Sequence, residues 1–201
     1  VKRMLKKNGR TDAGAIERYM DRYGLAKVTP LYTKVDAERA LTHFAGQPYR
    51  YPVTVGRDMT CTFYDAGHIL GSAVTVIKAK ENGRTYNICY TGDIGRFDKP
   101  IIKNPELQFE EDDCEIDLML MESTYGNRRH EPVADMAPHL KRIITETVER
   151  GGTVLIPAFA FGRTQELLYA IHELYNNGDV PKVPVYVDSP LASRIHRVYG
   201  E

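Results

Sequence analysis

The sequence lacks most marks of a secreted, membrane-embedded or globally cationic protein. Its 27 Lys and Arg are matched by 27 Asp and Glu. With no net positive field, any contact with nucleic acid must come from a local patch. No run of about 18 apolar residues occurs, so no membrane-spanning helix is expected. No basic-then-apolar segment opens the chain, and no secretory leader is expected. The cysteines are few, odd in number and widely spaced: Cys61, Cys89 and Cys114. That argues against a disulfide scaffold and for a reducing, cytoplasmic setting, with the thiols acting as small buried hydrophobes. Internal repeats, low-complexity tracts and the GxxxxGK[ST] phosphate loop are also missing.

What remains is a chain of 201 residues, 42% hydrophobic, with a mean hydropathy of -0.40. That is enough apolar material for a core in a soluble chain. The length suits one good-sized domain, or one and a piece of another. The sequence opens at Val1 inside a basic stretch and stops at Gly200-Glu201 after an apparent helix, which reads as a fragment.

Periodicity outlines the elements. Residues 1–10 predict a solvated turn or helix end. Ile16, Tyr19, Met20 and Tyr23 fall at helical spacing over 12–23, and Ala37, Ala40, Leu41 and Phe44 over 36–45. For the second helix, Asp36 is the expected N-cap and Gly46 the expected stop. Met59, Cys61 and Phe63 then alternate with Thr60, Thr62 and Tyr64, a strand with two unlike faces. Residues 72–79 and 84–90 predict two strands joined at Glu81-Asn82-Gly83, because Asn and Gly tolerate positive φ. Residues 104–117 are an acidic loop, and Ile116–Met121 predicts a buried strand. From 135 onward helices and strands alternate: a helix over 135–149, a strand over 153–156, a helix over 163–175, a strand over 185–187 and a helix over 191–198. That rhythm predicts a parallel sheet covered by helices. Composition shifts near residues 122–135.

Polar and glycine residues gather at four strand ends: 65–72, 90–95, 122–126 and 188–190. The 72–90 hairpin goes out and returns, so His68 before it and Asp93 after it emerge at one end of the sheet. Glycines flank both and permit close backbone approach. An imidazole and a carboxylate at one edge make half of a metal site. Glu122 joins them if its strand runs parallel to 84–90. Taken singly, each has an ordinary structural explanation: a hydrogen-bonded loop histidine, a turn aspartate, a capping glutamate. Two ligands do not complete a zinc site, so the residues alone leave both readings open. His130 follows Arg128-Arg129 and would line the same edge. His43, His139 and His172 fall on helices with solvated faces, and His196 adds to Arg194 and Arg197 in a basic patch. Gly162-Arg163-Thr164 opens a helix and is either a phosphate-contact point or a plain helix start.

Five stretches resemble the β-CASP branch of the metallo-β-lactamase-fold nucleases, in that family's order, from about residue 31 to 192. DAGHILGSA (65–73) and YTGDIGR (90–96) resemble its third and fourth metal motifs. LMESTYGNRRH (120–130) resembles the opening of the β-CASP insertion. GGTVLIPAFAFGRTQELL (151–168) and VDSPLA (187–192) resemble the insertion's first strand-helix units. The resemblance implies an α/β chain. Residues 1–126 would be the later part of a metallo-β-lactamase αββα half, and 127–201 the start of the β-CASP domain, both partial.

It further implies that His68 ligates one zinc, Asp93 bridges two, and Glu122 is an acidic catalytic residue supporting the site. A bridging hydroxide would attack a phosphodiester in line. Arg163, Thr164 and Ser189 are the expected substrate contacts. AGHxLGS and the glutamate in ESTYG match relatives that act on RNA, so RNA is the expected partner. A second copy of the chain, or subunits of a processing complex, are the other expected partners. The family's HxHxDH motif and its two later histidine motifs do not occur in this sequence. The chain by itself is therefore expected to be inactive. A hydrolase acting on DNA or a small ester, and a non-catalytic RNA-binding paralogue, are the competing readings.

Overall fold

The structure is a computed structural model that describes residues 6–7, 10–11, 13–24 and 30–200, with side chains at 17–24 and 30–200. The chain divides into two units, Val1–Gly46 and Gln47–Glu201.

In the first unit β1 (Lys6–Lys7) and β2 (Arg10–Thr11) pair antiparallel, where a turn or helix end was expected. The rest of residues 1–10 lies outside the described residues. Helix α1 spans Ala13–Arg22, as the spacing predicts. Helix α2 spans Lys34–Leu41 and starts earlier than expected. Its N-cap is Thr33, whose hydroxyl accepts from Asp36 N at 3.3 Å, while the Asp36 carboxylate accepts from Thr33 N at 2.7 Å. This reciprocal capping box satisfies two otherwise unpaired donors, so Asp36 serves at the third helical position instead of the cap. Thr42 ends the helix, its hydroxyl donating to Arg39 O at 2.8 Å, so Gly46 is not the stop and His43 lies in a turn beyond it.

The second unit is built on a five-stranded sheet in the order β3 (Val53–Gly56), β4 (Met59–Asp65), β5 (Ala73–Glu81), β6 (Arg84–Tyr90) and β7 (Leu118–Leu120). All neighbours are antiparallel except β6 and β7. Asn82 (φ 50°) and Gly83 (φ 79°) form a two-residue turn with Glu81 opposite Arg84. Left-handed conformations at both central positions match the twist of the flanking strands. The buried face of β4 is the one carrying Thr62 and Tyr64. Tyr64, Ala66, Val74, Val76 and Cys89 form the core, with Phe109 and Ile116 packed on it. The Tyr64 hydroxyl donates to Asp113 Oδ2 at 2.5 Å and accepts from Glu110 N at 3.0 Å, which lets a polar tip sit at the end of an apolar ring. Lys78 Nζ lies 2.8 Å from Asp113 Oδ1. Cys61 and Cys89 are buried, and burial pushes both thiols up and keeps them unreactive. Cys114 is exposed, against expectation.

Helices α3 (Met136–Glu149) and α4 (Arg163–Asn176) bury Leu140 and Ile144 against Ala170 and Leu174, with Val180. Helix α5 spans Pro190–Val198. The molecule is thus a mixed α/β chain. Two strand expectations fail and a third holds only in part. Residues 153–156 and 185–187 join no sheet among the described residues, with Leu155 91% and Tyr186 86% exposed. An extended apolar run becomes a strand only where a neighbour supplies ladder hydrogen bonds. The 116–121 segment shrinks to β7, at the border of the sheet, and Leu118, Met119, Leu120 and Met121 are exposed instead of buried. Among the described residues no helix is long and apolar enough to cross a membrane.

Candidate active site at the sheet edge

Three strand ends deliver the candidate residues. β4 runs into the 66–72 loop, which braces itself. Gly67 N donates to Asp65 Oδ1 at 2.8 Å, and the amides of His68 and Ile69 both donate to Ser72 Oγ, at 3.1 and 3.3 Å. Ala66 N closes the loop onto Ser72 O at 3.2 Å. β6 returns beside β5 and releases Thr91–Gly95. Gly95 N donates to Ala66 O at 2.7 Å, and a Cβ on Gly95 would overlap the Gly67 carbonyl. Gly67 (φ 61°) is itself hemmed by Pro105 and Lys103 O. The two loops therefore meet backbone to backbone, which only glycine allows.

That contact sets His68 Nε2 3.8 Å from Asp93 Oδ2. The parallel register of β6 with β7 pairs Tyr90 with Leu120 and brings Glu122 to the same end. Glu122 Oε1 accepts from Ile94 N at 2.8 Å, and Glu122 N donates to Thr91 Oγ1 at 3.2 Å. Glu122 thus holds the loop that carries Asp93. The Ile94 amide bond, then the Thr124 hydroxyl, keep its carboxyl below the usual glutamate range, with a smaller contribution from His68.

A cavity of about 910 Å³ opens here, with His68, Asp93, Glu122, His130, His139 and Arg163 on its wall. His139 faces the site although its helix face reads as solvated. The Tyr125 ring lies 3.8 Å, centroid to centroid, from the His130 ring. Thr164 and Ser189 do not line the cavity. The Thr164 hydroxyl donates to Phe159 O at 2.8 Å, and Ser189 Oγ caps α5 by accepting from Ala192 N at 3.2 Å. Lys99 and Glu166 also line the cavity, and sequence reasoning missed both. Lys99 lies in a loop with no period, and Glu166 reads as an ordinary residue of the first helical turn.

The Beta-Casp domain family matches residues 164–201. The ribonuclease TTHA0252 of Thermus thermophilus is 37% identical over 171 residues, 85% of this chain and 37% of that protein. The transcription termination factor FttA of Methanosarcina mazei is 33% identical, over 81% of this chain and 25% of its own. Cleavage and polyadenylation specificity factor subunit 3 of Dictyostelium discoideum is 34% identical, over 84% of this chain and 21% of its own. This chain belongs to the β-CASP family of metallo-β-lactamase-fold proteins. It spans between a fifth and two-fifths of the length of these three β-CASP relatives.

The family implies bound metal, so the donor set can be examined for it. Zinc takes four ligands, three or more of them from protein. His68 and Asp93 supply two, of suitable chemistry. Among the described residues no group of three or more His, Cys, Asp and Glu side chains gathers closely enough to hold an ion. The pair alone does not fit a complete zinc site in this β-CASP chain.

Proposed function

We propose that the protein to which this chain contributes is a zinc-dependent ribonuclease that hydrolyses RNA phosphodiester bonds in RNA processing. The observation that supports this best is the 3.8 Å approach of His68 to Asp93 at a cavity wall shared with Glu122 and Arg163. A ribonuclease among the relatives supplies the reaction class. In this reading His68 and Asp93 are part of a donor set for two zinc ions that further residues complete. Glu122 is the acidic residue that keeps Asp93 in place. Arg163, 56% exposed at the cavity wall, meets a phosphate group. Thr164 and Ser189 would act from behind, by fixing the turns that begin α4 and α5. Residues up to 126 belong to the metallo-β-lactamase half and 127–201 to the β-CASP insertion, a boundary that lies inside the Gln47–Glu201 unit. The protein works in the cytoplasm, on RNA, as a homodimer or beside other processing subunits.

The experiment uses the intact protein with 5′-labelled RNA and a DNA strand of the same sequence. RNA should be cut, and a chelator should stop the reaction. His68→Ala and Asp93→Ala should each lose more than about a hundredfold in rate, because even the outer partners of a metal cost ~10–100-fold when removed. Circular dichroism should stay unchanged. Preference for DNA, or full activity in either variant, overturns the assignment.

A further inference from the structure

Glu166 lines the cavity yet is 3% exposed. It stands in the first turn of α4. Its Oε1 lies 2.5 Å from Lys99 Nζ and its Oε2 3.2 Å from Arg163 Nη1. Lys99 comes from the loop that follows Asp93, and its side chain is only 15% exposed. The same ammonium donates to the carbonyl of His68 at 3.3 Å. One buried carboxylate therefore holds two cations, and one of those cations grips the backbone of a candidate metal donor. The same two regions also pass close together at a second point. A Cβ on Gly162, just before α4, would come within 3.0 Å of Ile69 Cγ2 in the His68 loop.

A carboxylate at this depth is stable only while it is paired, and removing one partner leaves the other charge uncompensated. Without Glu166, Lys99 has little reason to stay folded against the cavity wall. It would turn toward water and release the His68 carbonyl. The loop would keep its own Ser72 bonds but lose its polar tie to α4.

We propose that Glu166 is a positioning residue: through Lys99 it fixes the backbone of His68, and so the aim of that imidazole toward Asp93. It also links the site to the helix with which the Beta-Casp match begins. The kinetic part of this inference rests on the ribonuclease reading above, whereas the effect on His68 does not.

The test compares the intact protein with Glu166→Gln, Lys99→Met and the double variant, and has two readouts. The first is the imidazole carbon–proton NMR signal of His68, assigned with His68→Gln. It should shift in Glu166→Gln and in Lys99→Met, while the signal of His172, exposed farther along α4, stays in place. The second is RNA cleavage. Glu166→Gln should lower kcat about tenfold or more with KM nearly constant, as expected when a reacting group is misaimed and binding is kept. The double variant should be no worse than the more impaired single one. An unmoved His68 signal overturns the proposal, whether or not the protein cuts RNA. So does a loss confined to KM, which would make Lys99 and Arg163 plain substrate contacts. A parent protein that cuts no RNA would sink the ribonuclease reading alone, and the His68 signal would still decide this one.

Discussion

The imidazole of His68 and the carboxylate of Asp93 stand 3.8 Å apart although a whole hairpin separates them in the chain. Neither residue achieves this by its own side chain. The Gly95 amide on the Ala66 carbonyl, and the absence of side chains at Gly67 and Gly95, bring the loops together first.

Gly95→Ala should therefore act on fold and site together. The new methyl has no room beside the Gly67 carbonyl and must force the loops apart. The expected cost is about 1–3 kcal/mol, the usual range for overpacking, or more if backbone must move. Urea unfolding measures it. Gly151→Ala is the comparison: φ is 69° at Gly151 but not positive at Gly95, and a Cβ on Gly151 would meet nothing within 4 Å. It should pay only for the left-handed conformation, about 1–2 kcal/mol. Equal stability of Gly95→Ala and the parent would refute the close approach.

Acid should expose the Asp113 network. Burial pushes this carboxyl up, but Lys78 together with the Tyr64 and Thr62 hydroxyls outweighs it, and the net shift is downward. A carboxyl lowered in the folded state binds protons more readily when unfolded. Its stabilisation is thus complete above the ordinary aspartate value of about 3.9 and is lost as pH falls below it. The urea midpoint should drop below that pH in the parent. In Lys78→Met the midpoint should be lower at neutral pH and the acid drop shallower. An acid limb equally steep in that variant would remove Lys78 from the network.

Zinc content tests the donor count. With two donors aligned and no cluster of three among the described residues, the 201-residue chain should retain far less than one zinc per molecule after gel filtration, and should not cut RNA. Atomic absorption and the labelled-RNA assay read this directly. Stoichiometric, tightly held zinc with turnover would refute it.

What the sequence made legible was mostly local. Asn82-Gly83 can form few turns other than the one it forms, and that turn alone sends His68 and Asp93 to a common end. The arrival of Glu122 needed one further fact, the parallel pairing of β7. Residues 153–156 and 185–187 have strand composition, but pairing depends on what lies alongside, which a local pattern does not encode. The inward face of β4 was obscured because Thr62 and Tyr64 look polar, yet Tyr64 is the largest fully buried side chain of the core. Asp36 reads as the cap, three positions early in its motif, because a capping box puts acceptors at both positions. Lys99 and Glu166 were invisible for the plainest reason: nothing near either one in sequence announces a partner far along the chain.

β7 closes the sheet at one border with three half-open residues, and its outer edge has no strand partner among the described residues. Leu118 to Met121 set exposed, greasy side chains along that open rim, the pattern that recruits another strand edge to edge. Handled alone at high concentration, the chain should scatter light and form adhesive oligomers. A charged substitution such as Met119→Lys should keep it dispersed.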